Sequence, residues 1–219
     1  PLYRQAWWQR LGYLPIQPEG CIWLHAVSLG EARAALPLIA ALRERYPHQA
    51  LLLTTTTATG LRQLQHCCDA YTQCGYLPFD TPDAMARFLH RIRPRLGLIM
   101  ETELWPNLLR LCQQRALPVH LVNARLSARS ARGYSRLGLH FTRMLFAGLK
   151  IAAQGRADAR RFRVLGAQQL SVIGNLKFDL YLPESLHQQG QQLRQAWGSQ
   201  RPVWIAASTH AGEDEVILA

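Results

Sequence analysis

Glu31 lies in the stretch HAVSLGEARAAL, where an apolar run gives way to a helical pattern through Ser28 and Gly30. The free amide groups of a strand-to-helix turn attract negative charge, so a carboxylate there can simply stabilise the helix, by about 0.3–1 kcal/mol. That interpretation is favoured for an isolated glutamate. The strand exit and the adjacent Gly30 favour chemistry instead, because nearby amide groups would keep the carboxylate ionised near neutral pH. We therefore predict that Glu31 acts as a general base.

Other strand exits also carry polar side chains. Glu101 directly follows the apolar run Leu96–Met100, where helix capping explains it less well than it explains Glu103. Four threonines, Thr54–Thr57, end another apolar run, and backbone hydrogen bonding is about as good an explanation for them as ligand contact. Lys177 follows the last exit and alone would mean little.

Basic residues are concentrated in one segment of a chain whose net charge is +11. Residues 123–177 contain eleven Lys and Arg and a single acidic residue, Asp158. A spacing of four, three and four predicts one helical face for the first four arginines of this segment, which are Arg125, Arg129, Arg132 and Arg136. A solvated face is the usual meaning of such a pattern, but arginine forks without nearby carboxylates favour phosphate recognition.

Short apolar runs alternate with helical patterns, which predicts an α/β fold with a doubly wound, mostly parallel sheet. We expect strands at 21–26, 50–54, 76–79, 96–100, 119–122, 151–154, 171–174 and 203–207, and one long helix over 127–147. Ligands bind beyond the carboxyl ends of such strands. The candidate substrate-binding residues at these ends are Ser28, Gly30, Thr55, Thr56, Asn123, Arg125, Arg129, Arg132 and His210.

Composition excludes several classes of protein. Five cysteines without a CxxC pair favour neither a disulfide framework nor a zinc site and predict a reducing compartment. His25 and His210 lack metal-ligand spacing, so we expect no metal and no cofactor. No apolar run reaches the roughly 18 residues of a membrane span.

Several motifs together resemble one known family. In chain order they are HAVSLGE, TTTTATG, ETELWPNLL, NARLSARS, AAQ with DARRF, GNLKFD and RPVWIAASTHAGEDE. They are similar to the Kdo (3-deoxy-D-manno-octulosonic acid) transferases of lipopolysaccharide biosynthesis, and the resemblance covers nearly the whole chain. It implies an inverting, metal-independent glycosyltransferase of the two-domain GT-B class, of which the N-terminal Rossmann-like domain is present and the second domain truncated.

The resemblance also implies roles and partners. Glu31 would deprotonate the acceptor hydroxyl group, and Glu101 and Lys177 would stabilise the transition state. The donor would be CMP-Kdo, the acceptor a lipid A precursor (lipid IVA), and the location the cytoplasmic face of the cell inner membrane of a Gram-negative bacterium. The arginine face and the Trp/Arg segment at residues 3–10 would contact the acceptor phosphates and the anionic membrane surface.

The expected organisation follows from the same resemblance. Residues 1–19 would be a membrane-proximal segment, 20–181 the acceptor-binding domain, 182–200 a linker helix and 201–219 the start of a nucleotide-sugar-binding domain. A membrane anchor and most of the donor-binding domain would lie outside this chain, so we expect the chain alone to be inactive.

The alternative function is a nucleic-acid-binding module that uses the basic surface of residues 123–177. Such a surface needs aromatic side chains for stacking or a helix for a groove. The aromatic residues of this segment, Tyr134, Phe141, Phe146 and Phe162, fit a helix core at least as well. A cleft with two carboxylates also repels a polyanion, so we expect no nucleic-acid partner.

Overall fold

The structure, a computed structural model, describes residues 6–15, 17–179, 184–198 and 200–218. The chain divides into two units, Pro1–Leu180 and Tyr181–Ala219. The beginning of the predicted Trp/Arg segment, before residue 6, lies outside the described residues.

The first unit contains a parallel sheet of seven strands in the order β3-β2-β1-β4-β5-β6-β7. The predicted α/β fold with a doubly wound parallel sheet is confirmed. The strands are β1 (Ile22–His25), β2 (Leu51–Thr55), β3 (Thr72–Tyr76), β4 (Leu96–Met100), β5 (Val119–Ala124), β6 (Lys150–Ala153) and β7 (Gln169–Val172).

Helices follow the strands in the alternating order that the sequence predicts. A 3-10 helix, Trp7–Leu11, precedes β1, and a second one, Leu176–Asp179, follows β7. The α-helices of this unit are α1 (Leu29–Arg45), α2 (Ala58–Gln65), α3 (Pro82–Ile92), α4 (Pro106–Gln114), α5 (Ala128–Ser135), α6 (Leu139–Phe146) and α7 (Arg156–Val164).

Two hydrophobic clusters lie on opposite faces of the sheet, because successive side chains of a strand point to opposite sides. Trp23 belongs to the cluster that includes residues of α3, α4, α6 and α7. The next residue, Leu24, belongs to the cluster that includes residues of α1 and α2. The central strands β1 and β2 are buried along their whole length, as expected of a parallel sheet covered on both faces.

The strand order reverses between β1 and β4, which pair side by side. From β1 the chain proceeds outward to β2 and β3, and then returns to β4 beside β1. In open α/β sheets such a reversal opens a crevice at the carboxyl ends of the two strands. The turns after β1 and β4 flank that crevice, with Glu31 in the first turn of α1 and Glu101 directly after β4.

Three predicted elements differ in the structure. The edge strand β3 precedes the predicted 76–79 segment, and the Leu77–Phe79 run forms a loop instead. The single helix predicted over 127–147 is two helices, because Gly138 has a left-handed φ of 84° between α5 and α6. Residues 203–207, predicted as a strand, form no strand.

The second unit contains two described helices, α8 (Glu184–Ala196) and α9 (Glu213–Leu218). The helix expected within residues 182–200 corresponds to α8, although residues 182, 183 and 199 lie outside the described residues. Across the described part of the chain, every helix is too short or too polar to cross a bilayer.

Candidate active site

Glu31 is held by the turn that begins α1. Ser28 caps the helix, and its hydroxyl oxygen accepts the Glu31 amide at 3.3 Å. The Glu31 carboxylate in turn accepts the Ser28 hydroxyl at 3.1 Å and the Val27 amide at 2.9 Å. This is a variant of the capping box, in which a serine and a glutamate three residues later satisfy each other's helix end. Ser28 therefore orients the carboxylate as well as starting the helix.

The threonines after β2 fix the same turn from the neighbouring strand. The hydroxyl groups of Thr55, Thr56 and Thr57 all donate to the Val27 carbonyl oxygen, at 2.8, 3.2 and 3.3 Å. The Val27 amide, in turn, donates to the Glu31 carboxylate. The threonine run thus fixes a backbone segment, which then fixes the carboxylate. The interpretation of these threonines as backbone partners is supported for all three.

Burial decides the protonation of Glu31. Its pKa is raised from 4.5 to about 7, first by burial and further by the charges of Glu103 and Glu101, although the Val27 and Ser28 hydrogen bonds oppose the shift. The residue is only 9% exposed. The expectation that amide groups would keep Glu31 fully ionised is wrong, because the loss of hydration outweighs them. A pKa near 7 suits a base that must both take and release a proton.

Glu101 and Lys177 meet at the neighbouring strand exit. The Lys177 ammonium nitrogen lies 4.0 Å from the Glu101 carboxylate, and both side chains remain partly exposed. Glu101 has a left-handed φ of 55°, which is uncommon for a residue other than glycine. Its amide donates to the Val122 carbonyl oxygen of β5 at 2.9 Å, which holds the turn in place. The three predicted catalytic side chains therefore share one end of the sheet.

Glu103 adds a third carboxylate to this end of the sheet, and the structure changes its interpretation. Capping was the simplest explanation for it, but the amides at the start of α4 donate to the carboxylate of Asp80 instead, from Asn107 at 3.0 Å and Leu108 at 2.9 Å. Burial raises the pKa of Glu103, and the charge of Glu101 adds to that effect. Its charge in turn raises the pKa of Glu31.

The predicted substrate-binding residues of the first unit differ in accessibility. Gly30 is exposed in the first turn of α1, and Ser28 and Thr56 are partly exposed. Thr55 and Asn123 are fully buried at 0% exposure. A buried side chain that already has a backbone partner shapes the site without presenting a surface to a ligand.

The predicted arginine face is only partly helical. Arg129 and Arg132 lie on α5, whereas Arg125 precedes the helix and Arg136 is its C-cap residue. All four are exposed. The predicted single face of four arginines is therefore wrong in geometry, because the helix is shorter than the pattern. The concentration of exposed positive charge remains.

His210 lies in the second unit, where it is exposed. Its amide donates to the Glu213 carboxylate at 2.8 Å, and its ring nitrogen Nδ1 lies 3.5 Å from the same carboxylate. These contacts describe a local turn before α9. The predicted role of His210 in substrate binding stays a prediction.

Two positioning residues were missed from the sequence. Arg10 donates to the Thr56 carbonyl oxygen and stacks on the Tyr76 ring, 4.0 Å from its centroid. Asp158 accepts the Leu126 amide at 2.9 Å and so anchors the loop before α5 to α7. Both act across a large sequence separation, and no local pattern marks such contacts.

Metal binding finds no support in the described part of the chain, where no three His, Cys, Asp or Glu side chains are grouped as metal ligands. The ionisable side chains gathered at this end of the sheet are Glu31, Glu101, Glu103 and Lys177.

Comparison with known proteins gives this site a family. Residues 5–180 match the family described as 3-deoxy-D-manno-octulosonic-acid transferase (kdotransferase). The chain belongs to this family. All of the predicted site residues except His210 fall within the matched Kdo transferase region.

Curated relatives agree with this assignment. A 3-deoxy-D-manno-octulosonic acid transferase of Haemophilus influenzae is 40% identical over 223 residues, covering 100% of this chain and 52% of the relative. The Bordetella pertussis protein of the same name is 44% identical over 203 residues, covering 90% of this chain and 46% of the relative. The chain thus spans about half the length of these Kdo transferases and matches their N-terminal portion.

Solved structures support the fold alone. A UDP-GlcNAc 2-epimerase from Neisseria meningitidis superposes with a TM-score of 0.51 at 15% identity, over 80% of this chain and 53% of that one. Another UDP-N-acetylglucosamine 2-epimerase gives the same TM-score at 14% identity, over 87% of this chain and 63% of that one. Such low identity carries no information about substrate.

The alternative nucleic-acid-binding function is not supported. Phe146 and Phe162 are buried, and Tyr134 and Phe141 pack against the same hydrophobic cluster. These aromatic residues of the basic segment are therefore buried or packed against the core, and do not form an exposed set on which bases could stack.

Proposed function

We propose that this chain is the acceptor-side half of an inverting glycosyltransferase that moves Kdo from CMP-Kdo to a lipid A precursor, lipid IVA. Membership of the Kdo transferase family supports the transferred sugar. The observation that carries the mechanism is Glu31, a carboxylate buried at the strand-order reversal with a pKa of about 7.

The proton transfer is assigned to Glu31. The acceptor hydroxyl oxygen attacks the anomeric carbon of Kdo, the bond from that carbon to the CMP phosphate oxygen breaks, and CMP departs. The hydroxyl proton passes to a Glu31 carboxylate oxygen. Since the pKa is about 7, a large fraction of the protein holds the carboxylate in its basic form at neutral pH.

Charge development is assigned to the Glu101–Lys177 pair. An oxocarbenium-like sugar gains positive charge in the transition state while negative charge grows on the leaving phosphate. A carboxylate then stabilises the sugar and an ammonium group stabilises the phosphate or the Kdo carboxylate. The 4.0 Å separation in this structure keeps both charges at the same strand exit, ready for opposite ends of the breaking bond.

The acceptor and the membrane are assigned to the exposed surface around α5 and α6. Arg129 and Arg132 are exposed there, together with the apolar side chains of Leu137, Leu139 and Met144. Cations beside exposed apolar groups suit the phosphates and acyl region of a glycolipid in an anionic bilayer. We place the full-length protein at the cytoplasmic face of the inner membrane of a Gram-negative bacterium.

Replacing Glu31 tests the proposal. In the full-length protein, Glu31→Gln keeps the shape of the side chain, and its oxygen can still accept the Val27 amide. Removal of a positioned base typically costs about 10² to 10⁴ in rate, so kcat should fall by that factor with little change in melting temperature. Product formation from CMP-Kdo and lipid IVA is measured by mass spectrometry.

Glu44→Gln is the matched control, because Glu44 is exposed near the other end of the same helix. It should retain wild-type turnover. If Glu31→Gln retains turnover within a few-fold of wild type, Glu31 only caps α1 and the proposed mechanism is wrong.

A further inference from the structure

Asn123 occupies an unusual position at the end of β5. It has a left-handed φ of 54°, a conformation that asparagine tolerates better than most residues. The register between β5 and β6 shifts between Leu121 and Ala124, so Asn123 lies within an irregularity of the sheet. Irregularities of this kind redirect a side chain away from its regular alternation.

The redirected side chain contacts a distant segment. The Asn123 side-chain oxygen Oδ1 accepts the Leu176 amide at 3.1 Å, across 53 residues of sequence. The Asn123 main-chain carbonyl oxygen also accepts the Gln154 side-chain amide at 3.0 Å. Asn123 is 0% exposed, and its oxygen Oδ1 is already bonded to Leu176, whereas its amide nitrogen Nδ2 has no hydrogen-bond partner within the part of the chain that the structure describes. Its hydrogen bonds point to the protein itself.

Leu176 begins the 3-10 helix that carries Lys177. Strand β7 is the edge of the sheet, three strands away from β4, and the chain must return from it to bring Lys177 beside Glu101. Leu176 packs against the hydrophobic cluster under α1, and the Asn175 side chain accepts the Lys177 amide at 3.0 Å. The hydrogen bond between the Leu176 amide and the Asn123 side chain fixes the point at which the chain after β7 crosses the carboxyl end of β5.

We propose that Asn123 is a positioning residue that sets the location of the Lys177 ammonium group. Its side-chain oxygen holds the Leu176 amide, and the next residue then presents its ammonium group to Glu101. This role replaces direct substrate contact for Asn123. It rests on the proposed function, in which Lys177 stabilises charge in the transition state.

The test replaces Asn123 with glycine, because both residues tolerate a left-handed backbone conformation. Asn123→Gly in the full-length protein keeps the left-handed conformation and removes the acceptor oxygen together with the rest of the side chain. Amide exchange of the 174–179 segment, followed by mass spectrometry, should become at least about tenfold faster as the segment opens locally. A displacement of about 1 Å near the chemistry can cost about 10²-fold in rate, so kcat should fall by roughly 10 to 100-fold.

The ratio of kinetic constants separates positioning from general damage. The KM for the lipid acceptor should change little, because Lys177 is assigned to the donor side of the breaking bond. Asn123→Asp keeps the acceptor oxygen and tolerates the same backbone conformation, so it should retain slow exchange and higher turnover than the glycine variant. Ala116→Gly is the matched control, since Ala116 also has a left-handed φ, of 51°, near the opposite end of β5.

Each outcome has a defined meaning. Unchanged exchange in the 174–179 segment of Asn123→Gly overturns the proposal, and so does faster exchange without loss of kcat. An aspartate variant as impaired as the glycine variant also overturns it. Lys177→Gln separates the two levels: if it retains turnover, the proposed role of Lys177 is wrong, whereas if it loses turnover and Asn123→Gly does not, only the positioning role fails.

Discussion

At the residue scale, the Glu31 carboxyl group experiences two opposing influences. Hydrogen bonds from Val27 and Ser28 favour its ionised form, while burial and the charges of two neighbouring carboxylates favour its protonated form. Burial is the largest of these and raises the pKa to about 7. Burial therefore makes the group basic enough to accept a proton, while the hydrogen bonds that orient it favour its ionised form and keep the pKa from rising further.

A pH profile follows from this balance. The base must be deprotonated to act, so kcat/KM of the full-length protein should rise with pH and level off above the Glu31 pKa of about 7. Glu103→Gln removes a negative charge that raises this pKa, so the carboxylate becomes easier to ionise. The rising limb of the kcat/KM profile should therefore move to lower pH.

Glu44→Gln again provides the comparison, because it removes an exposed carboxylate from the same helix. Its rising limb should coincide with that of the wild-type protein. A Glu103→Gln profile that moves to higher pH, or does not move, would show that another group sets the limb.

Sequence reasoning could select Glu31 and Glu101 because each lies at a strand exit, and parallel strands place such exits on one edge. Lys177 also follows a strand, but its predicted role came from the family resemblance alone. It could not obtain the ionisation of Glu31, because burial depends on packing from other elements. The fixation of Val27 by Thr55 illustrates the same limit. A threonine run predicts hydrogen bonding, but the partner belongs to a neighbouring strand.

At the element scale, the contact between α2 and the loop after β1 keeps the turn that contains Glu31 in place. Gly60 lies in the first turn of α2, where its amide donates to the Thr57 hydroxyl oxygen at 3.1 Å. A side chain at Gly60 would collide with the hydroxyl oxygens of Thr55 and Thr57. Those hydroxyl groups hold the Val27 carbonyl oxygen, so the absence of a side chain at Gly60 contributes to the geometry around Glu31.

A pair of glycine substitutions tests this contact. Gly60→Ala should destabilise the protein by about 1–3 kcal/mol, the usual cost of an added methyl group in a packed site, and should lower kcat. Gly133→Ala lies within α5, where the added carbon meets no atom within 4 Å. It should stabilise the protein by roughly 0.5–1 kcal/mol through helix propensity. Thermal melting and turnover are measured for both.

Equal melting temperatures for the two alanine variants would contradict the close contact at Gly60. A Gly60→Ala protein that melts early but turns over normally would show that the threonine hydroxyl groups stabilise the fold without positioning Glu31.

Elements with a strong apolar pattern were predictable, whereas edges and breaks were not. Residues 96–100 form a strand as predicted, because β4 is central and covered on both faces. The edge strand β3 contains exposed and partly exposed residues among buried ones, so the apolar Leu77–Phe79 run drew the prediction to the following loop. The break at Gly138 follows from its left-handed backbone, which helical spacing alone does not indicate.

At the scale of the whole molecule, the net charge of +11 is distributed unevenly. The segment from 123 to 177 carries most of it and forms the strands, helices and loops at the β5–β7 side of the sheet. On this side Arg129 and Arg132 are exposed, and Leu139 and Met144 of α6 are nearly half exposed. Exposed large apolar groups rimmed by polar residues are typical of an interaction surface. Positive charge beside them suits a partner that is both anionic and apolar, such as a glycolipid.

Removing two cations from this surface tests the membrane assignment. In the full-length protein, Arg129→Ala with Arg132→Ala should weaken flotation with anionic vesicles, because each juxtamembrane cation contributes roughly 1 kcal/mol. The KM for the lipid acceptor should rise, while the KM for CMP-Kdo should change little. Added salt should reduce the difference between variant and wild type, since it screens exposed charges.

Arg45→Ala with Arg62→Ala removes the same charge from α1 and α2, on the opposite face of the sheet, and should leave flotation and both KM values near wild type. Equal losses in the two double variants would mean that net charge alone attracts the vesicles. If the α5 pair changes only the melting temperature, those arginines are structural and the surface has no role in acceptor binding.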